Sequence, residues 1–164
     1  LGLGRIGRAV AQRAKGFEMT CVGCDPMIPA DTIRVMGVEP LALEELLPRS
    51  EILTLHVPIA PETRGMVGAK EIERLPRGAV LVNAARGGLV DEAAVLAALE
   101  RGRLGGAVFD VFAMEPPGDS PLFARPDVVA TPHIGAATVE AQEAVGEEIV
   151  KLLLGKLRES GAIV

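Results

Sequence analysis

The chain has 164 residues, which is enough for one domain with a buried core and too few for a second full domain. Hydrophobic residues make up 49% and charged residues 24%, a balance typical of a folded globular protein. The formal net charge of −5 argues against nucleic acid or an anionic membrane as the main partner. Neither a membrane-spanning apolar run nor a signal peptide is recognisable, so we expect a cytoplasmic protein.

The predicted elements alternate between helical and strand-like hydrophobic patterns, which favours βαβ units. In chain order they are a helix over 5–15 ending at Gly16, a strand over 17–24, a strand candidate at 33–36, a helix around 41–47, a strand over 51–57, a helix over 68–74, a strand over 79–83, a helix over 92–101 capped by Asp91, strands over 106–111 and 127–130, and a helix over about 136–154. We therefore predict an α/β fold, a Rossmann-type doubly wound parallel sheet with helices on both faces.

The two cysteines form a C-x-x-C pair, Cys21 and Cys24, within the second predicted element. Such a pair raises the possibility of a redox or zinc site. Two cysteines supply only half of the ligands of a structural zinc, and a strand places residues three apart on opposite faces. We therefore expect buried small apolar side chains and no metal.

Polar side chains follow the predicted strands, at the edge where parallel α/β sheets bind ligands. They are Asp25, His56, Asn83 with Arg86, Asp110 with Glu115, and His133.

A glycine-rich loop leads directly into the first predicted helix. Gly2, Gly4 and Gly7 fit the G-x-G-x-x-G pattern, in which glycines allow a pyrophosphate to approach the backbone at a helix start. Asp25 ends the next predicted strand, where a carboxylate accepts hydrogen bonds from the adenosine ribose hydroxyls. With Pro26 after it in place of a basic residue, this acid favours NAD over NADP. The alternative is that Asp25 only forms an Asp-Pro turn.

Three further segments resemble the D-isomer-specific 2-hydroxyacid dehydrogenase family. They are NAARGGLVDE (83–92), GAVFDVFAMEPP (106–117) and TPHIGAAT (131–138). Two more, HVPIAPETRG (56–65) and GAATVEAQ (135–142), are most similar to the D-3-phosphoglycerate dehydrogenase branch of that family. The resemblance runs from Gly2 to about Glu143.

The resemblance implies a catalytic group of three residues. His133 corresponds to the acid/base that exchanges a proton with the substrate hydroxyl, and imidazole suits both directions. Glu115 corresponds to the carboxylate that orients this ring, and Arg86 to the fork that holds the substrate carboxylate. The alternatives are a structural histidine, a solvated loop acid, and a surface arginine paired with Asp91 or Glu92.

The cofactor implied by the resemblance is NAD, with Asp110 accepting a hydrogen bond from the nicotinamide carboxamide. His56 has either a positional or a direct role, and Ala60 stands where related sequences often have Thr. The predicted cofactor-binding residues are Gly2, Gly4, Arg5, Ile6, Gly7, Asp25, His56, Val57, Pro58, Thr63, Ala84, Ala85, Arg86, Asp110, His133, Gly135 and Ala136.

The expected partner is a small 2-hydroxy or 2-keto acid, in a homodimer or homotetramer. Alternative substrates are glyoxylate, hydroxypyruvate and D-lactate, and an alternative of another class is an NAD-sensing corepressor. Only Leu1 precedes the glycine loop, where the fold needs a strand. We therefore expect residues 1–150 to be the cofactor domain of a longer enzyme, and 151–164 to begin a return segment to a substrate domain.

Overall fold

The computed structural model describes residues 1–161. The chain divides into two units, Leu1–Pro132 and His133–Val164. The strands are β1 (Val22–Gly23), β2 (Glu39–Pro40), β3 (Ile52–Leu55), β4 (Ala79–Asn83), β5 (Leu104–Phe109) and β6 (Val128–Ala130). The helices are α1 (Arg5–Gly16), α2 (Ala30–Val35), α3 (Leu43–Leu46), α4 (Ala69–Ile72), α5 (Glu92–Glu100) and α6 (Val139–Glu159), with short 3₁₀ helices at Leu47–Arg49 and Pro121–Ala124. The last helix, α6, belongs to the second unit.

All of these strands pair in parallel. β3, β4, β5 and β6 form a sheet in that order, and β1 pairs with β2. The register aligns Leu55 with Asn83, Asn83 with Phe109, and Phe109 with Ala130, so four strands end at one common edge. The predicted Rossmann-type parallel sheet with helices is confirmed, and His56, Asn83 and Asp110 lie at this edge.

The segment that enters the glycine loop lies between β1 and β3. The Leu1 nitrogen donates to the carbonyl of Thr54 at 2.7 Å, and the His56 amide donates to the carbonyl of Leu1 at 2.7 Å. On the other side, the Gly2 amide donates to the carbonyl of Cys24 at 2.9 Å. Leu1 and Gly2 therefore join the two groups of strands through their backbone.

The core lies around β4 and β5. Leu81 and Phe109 are fully buried, and the alternate residues of β4 are still half-covered, so neither face of that strand is open. A strand covered on both faces is typical of parallel sheets packed by helices. α5 packs on β5, and Asp91 caps it by accepting hydrogen bonds from the amides of Ala93 and Ala94, as predicted.

The strand predicted at 33–36 is wrong. Ile33 and Val35 lie in α2, where Ile33 is buried and Val35 is 88% exposed, although a strand would place both on one face. A segment of four residues with three apolar side chains cannot distinguish the two structures, whereas Pro29 before the helix and Asp31 in its first turn favour a helix. Gly37, with φ of 69°, ends this segment, and the strand follows only as β2.

The strand predicted over 17–24 is much shorter, since only Val22 and Gly23 pair as β1. The two cysteines near it are free thiols that contact different clusters, Cys21 beside Leu3 and Cys24 beside the large core. These contacts agree with the expectation that both cysteines pack as small apolar side chains. Within residues 1–161 no helix is long and apolar enough to cross a bilayer.

Candidate functional site

The glycine loop is built by contacts that exclude side chains. Gly2 has φ of 84°, and a Cβ there would lie 2.6 Å from the carbonyl oxygen of His56. A Cβ at Gly7 would overlap the carbonyl oxygen of Gly2. By contrast, the space around Gly4 is open within 4 Å of where its Cβ would be. The first and third glycines therefore serve the tight turn, and the second leaves room for a ligand.

The start of α1 offers amide groups to an anion. Gly4 is the N-cap residue, with no side chain capping the helix and no acidic residue in its first turn. Arg5 and Ile6 follow on the first turn, both exposed. Since the first amides of a helix lack intrahelical acceptors and carry partial positive charge, this end suits a phosphate group.

Asp25 connects the glycine loop to the end of β1. Its Oδ2 accepts a hydrogen bond from the Leu3 amide at 2.8 Å, and its Oδ1 accepts one from the Met27 amide at 2.9 Å. The turn of the alternative interpretation therefore exists, but each carboxylate oxygen keeps a second lone pair for another donor. Asp25 thus combines a structural role with an acceptor at the sheet edge.

An open groove of about 480 Å³ lies beside Asp25, at the carboxyl ends of β1 and β2. Its size is in the range of small-molecule pockets. The walls are mainly apolar, with Ile33 and Leu41 among them. Arg34 also lines the groove, and its guanidinium is paired with Asp31 at 2.6 Å.

His56, which follows β3, places its carbonyl group against Gly2 and its Cβ atom near Gly7. Its Nε2 lies 3.1 Å from the hydroxyl of Thr54, whereas its Nδ1 is buried without a hydrogen-bond partner among residues 1–161. Burial, together with the nearby N-terminal ammonium of Leu1, lowers the pKa of His56 to about 4. His56 is therefore neutral at pH 7, and whether its role is positional or direct stays a prediction.

The predicted residues after His56 form a compact loop. The Val57 side chain lies 2.8 Å from where a Cβ atom on Gly2 would be. The hydroxyl of Thr63 donates to the carbonyl of Pro58 at 2.7 Å and accepts from the amide of Ala60 at 2.8 Å. Thr63 thus closes this loop, and a contact with the cofactor stays a prediction.

Asn83 fixes the loop that carries Arg86. Its side-chain amide donates to the carbonyl of Arg86 at 3.0 Å, and its Oδ1 accepts from the amide of Ala85. Ala84 and Arg86 are exposed on this loop. Because Asn83 is 1% exposed, its two hydrogen bonds hold the loop to the end of β4.

Arg86 does not pair with the acids that the alternative interpretation names. Asp91 caps α5, and Glu92 accepts a hydrogen bond from the amide of Ala113 at 2.7 Å. The guanidinium of Arg86 donates only to the carbonyl of Ala85 among residues 1–161. An arginine without a carboxylate partner at a sheet edge suits an anionic ligand.

The Arg86 loop and the Glu115 loop are in direct contact. A Cβ at Gly87 would overlap the carbonyl oxygen of Phe112, so only glycine allows the two backbones to approach. Glu115 in turn accepts a hydrogen bond from the Phe112 amide at 3.0 Å. The loops after β4 and β5 therefore bring Arg86 and Glu115 to one region of the edge.

Asp110 directly follows β5 and is only 7% exposed. Its Oδ1 accepts a hydrogen bond from the hydroxyl of Thr131 at 2.5 Å, and its own amide donates to the carbonyl of Asn83. A buried carboxylate at the ligand edge of a sheet is costly unless hydrogen bonds or a ligand compensate it.

His133, Gly135 and Ala136 belong to the second unit, so the prediction that they bind the cofactor stays a prediction. His133 has φ of 55°, a left-handed conformation that is uncommon outside glycine and is concentrated at functional sites. Residues 1–161 contain no group of three or more metal-ligating side chains.

Comparison with known proteins shows the family to which the chain belongs. The family model of the D-isomer specific 2-hydroxyacid dehydrogenase, NAD binding domain, matches residues 1–135. The chain belongs to this family. It is therefore an NAD-binding domain.

The curated relatives of this NAD-binding domain include D-3-phosphoglycerate dehydrogenases. It is 47% identical to a D-3-phosphoglycerate dehydrogenase of Methanocaldococcus jannaschii, over 98% of this chain and 32% of the relative. It is 44% identical to one of Bacillus subtilis, over 94% of this chain and 30% of the relative. The chain thus spans about a third of the length of these relatives.

A solved structure gives the same fold. The D-lactate dehydrogenase of Aquifex aeolicus, complexed with NAD and lactic acid, superimposes with a TM-score of 0.83 at 32% identity, covering 98% of this chain and 52% of that one.

The sequence did not predict the contacts that join the loops at the ligand edge of the sheet. Gly87 and Thr131 stand out only in the structure, because their partners Phe112 and Asp110 are distant in sequence. The double glycine after Arg86 is a signal of close backbone approach that sequence reading could have used. Thr131 carries no such signal.

Proposed function

We propose that this domain forms the cofactor half of an NAD-dependent dehydrogenase of D-2-hydroxy acids. The observation that carries the proposal is the contact between Gly87 and Phe112, which joins the loops of Arg86 and Glu115 at the ligand edge. A guanidinium without a carboxylate partner suits the substrate carboxylate, and a carboxylate on the joined loop suits the orientation of a catalytic imidazole.

The substrate we propose is 3-phosphoglycerate, oxidised to 3-phosphohydroxypyruvate in serine biosynthesis. Support comes from relatives named D-3-phosphoglycerate dehydrogenase at 44% and 47% identity over nearly all of this chain. Activity is proposed for the whole protein, in the cytoplasm and as a homodimer or homotetramer, with residues 1–150 as its cofactor domain and 151–164 leading to the substrate domain.

In the proposed reaction, NAD supplies the nicotinamide ring that accepts the hydride from C2 of the hydroxy acid. Arg86 binds the substrate carboxylate with its planar fork and so fixes the direction in which C2 faces. His133 takes the proton of the C2 hydroxyl as the carbonyl forms, and returns it in the reverse direction. Glu115 orients the imidazole and stabilises its protonated form.

Asp110 and Asp25 hold the two ends of the dinucleotide in this proposal. Asp25 accepts hydrogen bonds from the adenosine ribose, with the adenine in the groove lined by Ile33 and Leu41. Asp110 accepts a hydrogen bond from the nicotinamide carboxamide. The amides at the start of α1 lie between these ends along the sheet edge and bind the diphosphate.

The test is a substrate panel with the full-length protein. NADH formation is measured with D-3-phosphoglycerate and D-lactate, and NADH consumption with glyoxylate and hydroxypyruvate. We expect kcat/KM to be highest for the phosphoglycerate, and an Arg86→Ala variant to lose activity with every substrate.

Activity confined to glyoxylate and hydroxypyruvate, or to D-lactate, would overturn the choice of substrate and keep the reaction class. NAD binding without turnover of any 2-hydroxy acid would overturn the enzyme itself and favour an NAD-sensing binding protein.

A further inference from the structure

Thr131 contacts the buried carboxylate of Asp110. The hydroxyl lies 2.5 Å from Asp110 Oδ1, at the short end of the range for a hydroxyl donating to a carboxylate. Asp110 follows β5 and Thr131 follows β6, directly after Phe109 and Ala130, which are paired across the two strands. The two side chains therefore meet where neighbouring strands end.

The Thr131 hydroxyl is not needed to hold the strands together. The Thr131 amide already donates to the carbonyl of Phe109 at 2.9 Å and continues the hydrogen bonding between β5 and β6. A β-branched side chain of the same shape would keep this backbone and fill the same space. What the hydroxyl adds is a donor to one particular oxygen of Asp110.

We propose that Thr131 is a positioning residue that fixes the rotation of the Asp110 carboxylate and so directs it at the carboxamide of the nicotinamide. This inference rests on the proposed function, because it assigns the Asp110 carboxylate to that end of NAD. A carboxylate held at one oxygen cannot swing about its χ2 bond, which is otherwise a broad torsion. The nicotinamide ring bound to it is then held in one orientation relative to C2 of the substrate.

The position of Thr131 in the chain adds to its effect. It precedes Pro132 and His133, so the residue that anchors Asp110 also begins the segment that carries the proposed acid/base. The side chain that orients the cofactor and the backbone that leads to His133 are thus fixed to the same strand end.

The test compares Thr131→Val with Thr131→Ser in the full-length protein. The readouts are dissociation constants measured by calorimetry, and kcat and KM with the hydroxy acid. Two cofactors are used, NAD and its 3-acetylpyridine analogue, which lacks the amide donor. Losing a hydrogen bond to a charged group corresponds to about tenfold or more in affinity.

We expect Thr131→Val to raise the dissociation constant of NAD about tenfold. The dissociation constant of the acetylpyridine analogue should change less than about twofold, which is the usual error of additivity between independent sites. Thr131→Ser, which keeps the hydroxyl, restores NAD affinity. In Asp110→Ala, Thr131→Val has little additional effect, because both changes remove the same hydrogen bond.

Equal losses for both cofactors, or no recovery in Thr131→Ser, would overturn the positioning role and leave Thr131 a structural residue. If Thr131→Val does not fold, Thr131→Ala takes its place in the same comparison with Thr131→Ser. The binding measurements separate the two proposals, since absence of turnover in the wild-type protein overturns the proposed function while the cofactor comparison still decides on Thr131.

Discussion

Gly87 lies against the carbonyl group of Phe112, in a contact that leaves no space for a Cβ atom. This contact joins the loop after β4 to the loop after β5. Arg86 precedes the glycine, and Glu115 binds the amide of Phe112 at 3.0 Å. The relative positions of these two charged side chains therefore depend on a residue with no side chain.

Replacing Gly87 with alanine is expected to separate the two loops. The methyl group overlaps backbone atoms that cannot rotate away, so we expect a loss of about 1–3 kcal/mol of stability, as for other overpacked sites. Catalytic turnover should fall further than stability alone explains, since the Arg86 loop moves. Thermal denaturation and steady-state kinetics of the full-length protein measure both effects.

The matched control is Gly16→Ala, because a Cβ at Gly16 meets no atom within 4 Å. It should leave both stability and turnover close to wild type. A Gly87→Ala variant that matches this control in both measurements would show that the loops adjust without consequence.

Replacing Asp25 with alanine should weaken the binding of NAD and reduce the preference for NAD over NADP. The carboxylate both accepts from the amides of Leu3 and Met27 and repels a 2′-phosphate. We expect at least about a tenfold rise in the NAD dissociation constant, the scale of a lost charged hydrogen bond. Calorimetry with NAD and NADP measures the change.

Glu62→Ala, which removes the same charge from an exposed position, is the control for the Asp25 variant and should preserve the cofactor preference. If Asp25→Ala lowers only the melting temperature and leaves the preference for NAD intact, then Asp25 serves the turn alone.

His133→Ala is expected to lower turnover by a factor of about 10² to 10⁴, the usual contribution of a general acid or base. The affinity for NAD should change little, because the imidazole acts on the substrate hydroxyl. Glu115→Gln should lower turnover in the same direction by a smaller factor. An equal loss of NAD affinity and turnover in His133→Ala would contradict the acid/base role.

The stability of the 164-residue chain should fall in mildly acidic solution because of His56. Burial and the Leu1 ammonium lower the pKa of His56 from 6.5 to about 4 in the folded chain. Between these values the unfolded chain binds a proton on His56 that the folded chain does not, so the contribution of His56 to stability is fully present above pH 6.5 and is lost toward pH 4.

His56→Asn, which cannot be protonated, should show a smaller decline over this interval. The measurement is the midpoint of thermal unfolding at a series of pH values for both chains. Parallel curves for the two chains would mean that His56 does not titrate with a lowered pKa.

Local patterns were sufficient for the elements with strong periodicity. β4 lies over the predicted 79–83, and α5 begins after its predicted cap, Asp91, because alternation and capping are properties of neighbouring residues. The strand prediction at 33–36 failed because it also used only a local pattern. Ile33 and Val35 have β-branched side chains, which favour strands, but they lie in the helix that begins after Pro29.

The candidate site was predictable to the extent that parallel strands end at one edge. Asp25, His56 and Asp110 follow strands and Asn83 ends one, so all four lie at strand ends, as the sequence predicted. The contacts between the loops were not predictable, because a close approach such as that of Gly87 to Phe112 depends on how distant segments pack. The same holds for Thr131 and its short hydrogen bond.

The backbone position of Leu1 and Gly2 links cofactor binding to folding. These residues hydrogen-bond to Thr54 and His56 on one side and to Cys24 on the other, so the glycine loop is complete only when β3 has already joined it. Such long-range pairing costs loop-closure entropy. In the proposed function the dinucleotide binds this assembled loop, so its binding free energy would stabilise the strands on both sides of it. We therefore expect a bound nucleotide to stabilise the two groups of strands together.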